Sequence, residues 1–265
     1  MLSYATLSWR TPLPPEGSAM TPRPLADEIA IAISYDATTQ AVMMATPQDL
    51  TDFARGFTLT EGIAALDDIR EIEVAEVPDG IDLRMWLAPE AGARLAARRR
   101  RMVGPVGCGL CGIDSLAEAM RPMAPVTTDL RLTPAEVGQA IAGLRDHQPL
   151  HDATRAVHAS GFWHPAQGMV AVREDVGRHN ALDKLAGAVA SGDVAGAVLM
   201  TSRVSVDLVQ KVAALGAPVL IAVSAPTAQA VELAMRLNIT VIGLARGEGY
   251  HVFSHPQRVG EQMPG

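Results

Sequence analysis

The chain predicts an α/β fold in which helices flank a core sheet, with a smaller α+β lobe at the N-terminal side. Three observations predict it. From residue 175 onward, short apolar strands alternate with amphipathic helices, the pattern of βαβ units and of a largely parallel core sheet. Before residue 90, short strands with alternating apolar and polar residues are separated by tight-turn signals and one helix, which reads as a separate lobe. Finally, 48% of the 265 residues are apolar, enough to build a core for one large domain or for a domain and a lobe.

Taken in order, residues 1–22 hold Pro12, Pro14, Pro15 and Pro22 with little apolar pattern, and are expected to form a loosely ordered arm. Residues 23–128 form the N-terminal lobe, ending with a cysteine loop, and 129–265 the α/β core. In the lobe, 27–33 and 41–44 read as the two strands of a hairpin. Thr46 then stands as an N-cap before Pro47, opening a helix that carries Leu50, Phe53, Ala54 and Phe57 at helical spacing. Residues 69–77 and 81–87 are strands joined at Pro78-Asp79-Gly80, a strong turn signal. Ser115-Leu116-Ala117-Glu118 has the form of a capping box, so a helix is expected to begin just beyond Cys111.

In the core, 133–144 reads as a helix, and 153–160 and 169–173 as strands on either side of Phe162-Trp163-His164-Pro165. Residues 175–190 form a helix with Leu182, Leu185, Ala186 and Val189 on one face. Strands at 197–200, 218–223 and 240–244 then alternate with helices at 207–215 and 227–237.

Composition excludes several classes. A net charge of −7 argues against general nucleic-acid binding; the only basic run, Arg98-Arg99-Arg100-Arg101, reads as a solvated loop or helix end, or as a contact for a polyanion. The longest apolar stretches, 195–200 and 217–223, fall far short of the roughly 18 residues a membrane span needs. No basic segment followed by an apolar one opens the chain, so no secretory signal is visible and a cytoplasmic location is expected.

In a reducing cytoplasm, cysteines two apart are more often catalytic or metal-binding than cross-linking. The only two in the chain, Cys108 and Cys111, stand in Val106-Gly107-Cys108-Gly109-Leu110-Cys111-Gly112, where Gly107, Gly109 and Gly112 loosen the backbone around the thiols. His147, His151, His158 and His164 are the candidate metal ligands beside them. A single Cys-x-x-Cys without a second pair or a His-x3-5-His is a weak zinc pattern, and no metal site is expected. Proline is absent between the cysteines, unlike a thioredoxin-type pair, and the His-x-Glu and Pro-Cys-x-x-Cys of a zinc deaminase are both missing.

Ligands of such sheets bind beyond the carboxyl ends of the strands. There stand Thr201-Ser202-Arg203-Val204-Ser205, Ser224-Ala225-Pro226-Thr227 and Ala245-Arg246-Gly247, small, hydroxylated or cationic residues that suit a phosphate, although Ser224 and Thr227 also suit a plain helix cap. The window Arg173-Glu174-Asp175-Val176-Gly177-Arg178-His179-Asn180-Ala181-Leu182-Asp183-Lys184 is the densest in functional groups. On a helix His179 and Asp183 share a face, as do Asn180 and Lys184. A carboxylate can thus orient the imidazole while Arg178 and Lys184 meet an anion; ordinary surface salt bridges are the other reading.

Three sets of residues, Cys108-Gly109-Leu110-Cys111-Gly112, the string from Glu174 to Lys184, and Val223-Ser224-Ala225-Pro226-Thr227, closely resemble the FdhD/NarQ family of formate dehydrogenase accessory sulfurtransferases. Ala45-Thr46-Pro47-Gln48-Asp49-Leu50, Gly56-Phe57, Glu61-Gly62-Ile63 and Arg203-Val204-Ser205 match as well, so the resemblance runs from about Leu25 to the C-terminus. It implies a cytidine-deaminase-like mixed sheet flanked by helices and a cytoplasmic homodimer. Its implied activity is transfer of persulfide sulfur from a cysteine desulfurase to the molybdenum bis(molybdopterin guanine dinucleotide) cofactor, required for formate dehydrogenase. By the same resemblance Cys108 carries the persulfide with Cys111 assisting, and Leu244, Ala245, Arg246, Gly247, Glu248 and Gly249 hold the cofactor. A non-catalytic cofactor-binding chaperone is the competing function. The chain departs from the family pattern at Ser202, usually glycine, at Thr154-Arg155-Ala156-Val157-His158, usually richer in glycine, and at Tyr250-His251-Val252-Phe253.

Overall fold

The computed structural model describes residues 9–10, 24–102, 122–247 and 249–260. Cys108, Cys111, the expected helix after them and Glu248 lie outside the described residues, as does all of the expected arm except Trp9–Arg10 (β1). That pair is antiparallel to Leu25–Ala26 (β2).

The first sheet is built from Ile29–Tyr35 (β3) and Thr38–Ala45 (β4), the expected hairpin, followed after Leu50–Thr60 (α1) by Ile69–Val77 (β5) and Gly80–Leu87 (β6). Its order is β4-β3-β6-β5, with β3 and β6 parallel and the two outer pairs antiparallel. Period-two alternation sends Ile31, Ile33, Leu83 and Met85 to the face on which α1 lays Leu50, Phe53, Ala54 and Phe57. Pro89–Met102 (α2) follows β6. The basic run therefore closes a helix, and two of its members dock: Arg98 donates to the carbonyl of Glu61 at 3.2 Å and Arg99 to Gln40 Oε1 at 2.9 Å.

Pro134–Arg145 (α3) opens on Thr133, whose hydroxyl accepts from the Glu136 amide, and Pro149–Thr154 (α4) comes next. After it come His158–His164 (β7), Gly168–Asp175 (β8) and Arg178–Val189 (α5). Ala197–Met200 (β9), Val206–Leu215 (α6), Val219–Ala222 (β10), Ala228–Arg236 (α7) and Thr240–Arg246 (β11) give the two expected βαβ units, and Gly249–Val252 (β12) ends the sheet. The order is β12-β11-β10-β9-β7-β8. Only β9, β10 and β11 run parallel; β7, β8 and β12 pair antiparallel, so the sheet is mixed rather than largely parallel. Val198, Met200, Leu220 and Val241 face α5, α6 and α7, while Ala197, Leu199, Val219 and Ile221 face α3. Each fully enclosed leucine in these layers, such as Leu182 or Leu208, contributes about 1.5–3 kcal/mol.

The two sheets meet where α1 crosses α5. At that crossing Gly56 and Gly187 face each other's backbones: a Cβ on Gly56 would lie 1.6 Å from the Asp183 carbonyl oxygen, and one on Gly187 1.9 Å from that of Asp52. Absence of a side chain at both positions is what lets the helices touch.

Three expected elements are corrected. Helix α1 starts at Leu50, capped by Asp49 in the left-handed region without a side-chain hydrogen bond, because Thr46 is engaged elsewhere: its hydroxyl accepts from the Val176 amide at 3.2 Å. The expected strand at 153–160 begins only at His158, since α4 occupies the preceding residues, and it continues through Phe162 and Trp163 rather than ending before them. The last core strand extends to Arg246 and pairs with β12, which sequence reading left out.

Candidate functional site

The charged window at the start of α5 divides into two kinds of residue. Asp175, Asn180, Asp183 and Lys184 are buried. Lys184 lies 2.6 Å from Asp175 and donates to the Thr46 carbonyl at 2.8 Å; Asn180 donates to the Met44 carbonyl at 2.9 Å. Asp183 accepts from Thr60 at 2.5 Å and from Lys211 at 2.9 Å, and Lys211 also reaches Glu61. These residues fasten β8, α5 and α6 to the segment around α1. Lys184 is thus enclosed with Asp175 and does not meet an external anion, and Asp183 is taken by Lys211 instead of orienting His179.

Arg178 and His179 stay half-buried. His179 Nε2 hydrogen-bonds Asp207 Oδ2, so its carboxylate partner comes from the first turn of α6 rather than from its own helix. Burial disfavours the Asp207 anion, yet the hydrogen bond from His179 and its charge prevail and hold the carboxyl well below the usual carboxylate range. His158, whose Nδ1 lies 3.3 Å from Thr201 Oγ1, is pushed below the ordinary imidazole value by burial first and then by the neighbouring Arg178, His151 and His179. Cationic and imidazole groups from α4, β7 and α5 thus converge beside the carboxyl end of β9.

A cavity of about 600 Å³ opens at the carboxyl ends of the three parallel strands, on the α3 side of the sheet. Thr201, Val223 and Ala245 to Gly247 form its strand wall. Ile141, Ala142 and Leu144 of α3 form an apolar wall opposite, continued by Arg145, Asp146, Gln148 and His151. His151 is fixed at two points. Its amide donates to Glu174 Oε1 at 2.7 Å, and its Nδ1 donates to the Val157 carbonyl at 3.2 Å, which leaves Nε2 for a ligand. Glu174 also accepts from the Leu150 amide at 2.8 Å, so one buried carboxylate caps α4; burial pushes its pKa up.

Of the residues expected at the strand ends, Thr201, Ala245, Arg246 and Gly247 line this cavity together. Gly247 has a φ of +57°, a turn that suits glycine. Ser202, Arg203, Ser224, Thr227, Leu244 and Gly249 are not among its lining residues. The hydroxyl of Ser202 donates to the Arg203 carbonyl, Arg203 is exposed, and Thr227 caps α7 by accepting from the Ala230 amide. The Ser224 carbonyl accepts from the Leu244 amide. Leu244 has a φ of +55° at the irregularity in the β11–β12 ladder, and Gly249 opens β12. Sequence reading missed Arg145, Asp146 and Gln148, and weighed His151 only as a metal ligand. The available signal was Pro149 directly after a polar break, a residue suited to the first position of a helix, which the strand reading of the following residues passed over. Among the described residues no group of His, Cys, Asp and Glu is arranged to hold a metal, and no helix is long and apolar enough to cross a membrane.

Fold and cavity together define an α/β protein with a cavity at the carboxyl edge of a mixed sheet, the place where sheets of this class bind ligands. Residues 26–260 match the model of the FdhD/NarQ family, and the chain belongs to that family. It is similar to the sulfur carrier protein FdhD of Agrobacterium fabrum, 49% identical over 254 residues that cover 92% of each chain. The protein of the same name from Cupriavidus necator is 47% identical over 263 residues, covering 97% of this chain and 89% of that one. Among solved structures, that of a candidate formate dehydrogenase accessory protein from Desulfotalea psychrophila superposes with a TM-score of 0.73 at 26% identity. The superposition covers 95% of this chain and 97% of the other.

Proposed function

We propose that this chain is a persulfide sulfurtransferase. It takes sulfur from a cysteine desulfurase onto Cys108, assisted by Cys111, and passes it to molybdenum bis(molybdopterin guanine dinucleotide), bound as substrate, on behalf of formate dehydrogenase. In this reading it works as a homodimer in the cytoplasm, with residues 129–265 holding the cofactor and the lobe before them presenting the cysteines. The observation that carries the reading is the cavity at the strand ends, where Arg145 and Arg246 flank apolar walls, a combination that suits a heterocycle with a phosphate tail. Relatives named as sulfur carriers support the sulfur half of the reading.

The loading of Cys108 balances without an external oxidant. The Cys108 thiolate attacks the outer sulfur of the donor persulfide, a new S–S bond forms as the donor's breaks, and the donor cysteine leaves as a thiolate. Incubating the protein with a cysteine desulfurase and cysteine should add one labile sulfur to the Cys108 peptide, read by mass spectrometry and removed by reductant. A protein that binds cofactor yet gains no sulfur on either thiol is instead a chaperone, and the transferase reading fails.

A further inference from the structure

Resting on the sulfur-transfer reading, we infer that the outer edge of the first sheet, strand β5 with the β5–β6 turn, is the docking surface for the sulfur-donating protein, which meets it with a basic face. Strand β5 stands last in the sheet order, and among the described residues no strand pairs with its outer side. It is nine residues long and exposes Glu71, Glu73, Val74 and Glu76. The opposite edge, β4, is closed: Arg99 donates to the Thr38 carbonyl at 3.1 Å, Asn180 donates to that of Met44, and the ladder is irregular between Ile33 and Ser34. Of the two edges, β5 is the one left to a partner.

Charge defines that partner. Residues 67–90, the β5–β6 hairpin and its flanks, hold eight carboxylates against two arginines, Arg70 and Arg84, and so carry −6 of the chain's net −7. Arg84 is engaged by Asp82 at 2.9 Å and Glu73 at 3.5 Å, and Asp68 by Arg94 at 3.0 Å. Asp67, Glu71 and Asp79 are exposed and make no hydrogen bond or ion pair with the described residues. A second copy of this chain is excluded as the occupant, because pairing β5 with itself sets carboxylate against carboxylate. A face rich in arginine or lysine gains from the same pattern, above all in speed of encounter. Position then selects the sulfur donor among basic partners. Strand β6 runs into α2, whose last residue, Met102, stands six positions before Cys108, so a protein held on this hairpin is held on the lobe that bears the thiols. The cavity belongs to the other sheet.

The test follows sulfur reaching the Cys108 peptide of the full-length protein as a cysteine desulfurase is titrated with cysteine in excess. Raising the salt from about 50 to about 300 mM should raise the half-saturating desulfurase concentration several-fold. Replacing the three exposed carboxylates together, Asp67→Lys, Glu71→Lys and Asp79→Lys, should raise it about tenfold or more at the lower salt and leave the plateau rate unchanged. Cysteine persulfide, a small donor with no docking face, should load wild type and variant at equal rates, a result that loss of fold would not give. A half-saturating concentration unmoved by the three substitutions overturns the docking surface and leaves sulfur transfer standing. A variant that also loads slowly from cysteine persulfide overturns it too, since the damage then lies in the thiol or the fold. A wild-type protein that gains no sulfur from either donor overturns the sulfur-transfer reading and the surface with it.

Discussion

Lys184 Nζ sits 2.6 Å from Asp175 Oδ2 with both side chains wholly enclosed, and the same carboxylate oxygen accepts at 3.1 Å from the amide of Thr46, 129 residues of chain away from Asp175. Lys184 also lies 5.7 Å from the Phe53 ring centre, so its charge is balanced by an anion, a carbonyl and an aromatic face. The pair therefore ties the start of the α1 region to β8 and α5.

Removing one member of such a pair strands the other as an unpaired buried charge. Lys184→Met should cost about 3–5 kcal/mol in denaturant unfolding, and pairing it with Asp175→Asn should recover part of that loss. A single replacement costing under about 1 kcal/mol would contradict the enclosure described.

The crossing of α1 and α5 gives a second expectation. Gly56→Ala places a methyl on the Asp183 carbonyl, and since backbone rather than a side chain must move, the loss should reach about 2–4 kcal/mol. Gly138→Ala, at a glycine inside α3 with open space around it, serves as the control and should raise stability by about 0.5–1 kcal/mol through helix propensity.

His158 makes a prediction in pH. Its folded pKa lies below the ordinary imidazole value, so the neutral ring is favoured in the native state. Its contribution to stability is present above the unfolded value of about 6.5 and is lost as pH falls through the lower folded value. An imidazole titration followed by NMR should place His158 below about 6.5 in the free protein, and a saturating nucleoside diphosphate should raise it by offsetting Arg178 and the other cations. No upward movement on saturation would mean that the anion binds away from this cluster.

Arg155 occupies the left-handed region at φ 59° and ψ 22°, a conformation that favours glycine. An L side chain pays for that conformation in steric strain, and the exposed Arg155–Asp152 ion pair returns little. Arg155→Gly should raise stability by about 0.5–1 kcal/mol, seen as a higher melting temperature. A lower melting temperature would mean that the guanidinium contributes more than its exposed contact suggests.

What the sequence revealed depends on how local the deciding interaction is. Strands β9 and β10 and the turn at Pro78-Asp79-Gly80 were legible because apolar runs and turn residues act within a few positions. The start of α1 was not, since Thr46 looks like a cap until Val176, far along the chain, claims its hydroxyl. The window from Asp175 to Lys184 was legible as important but not as to role: helical spacing places Asp183 near His179, while burial assigns it to Thr60 and Lys211. The strand-end half of the cavity followed from general rules for α/β sheets. The other half is mostly α3, itself expected from sequence, but its edge at His151 belongs to α4, whose position depends on Glu174 reaching two of its amides from β8.

Glu174 and Asp175 are consecutive residues at the end of one strand, and their side chains serve opposite sides of it. Glu174 secures the helix bearing His151 at the cavity; Asp175 secures Thr46 and Lys184 on the way to the first sheet. A strand slipped by one residue would exchange the two, delivering the shorter acid to the cavity wall and the longer one into the tight space beside Thr46. Correct pairing of β8 with β7 is thus a condition for both the ligand site and the union of the sheets, so a misregistered chain forfeits them together instead of surviving half-built.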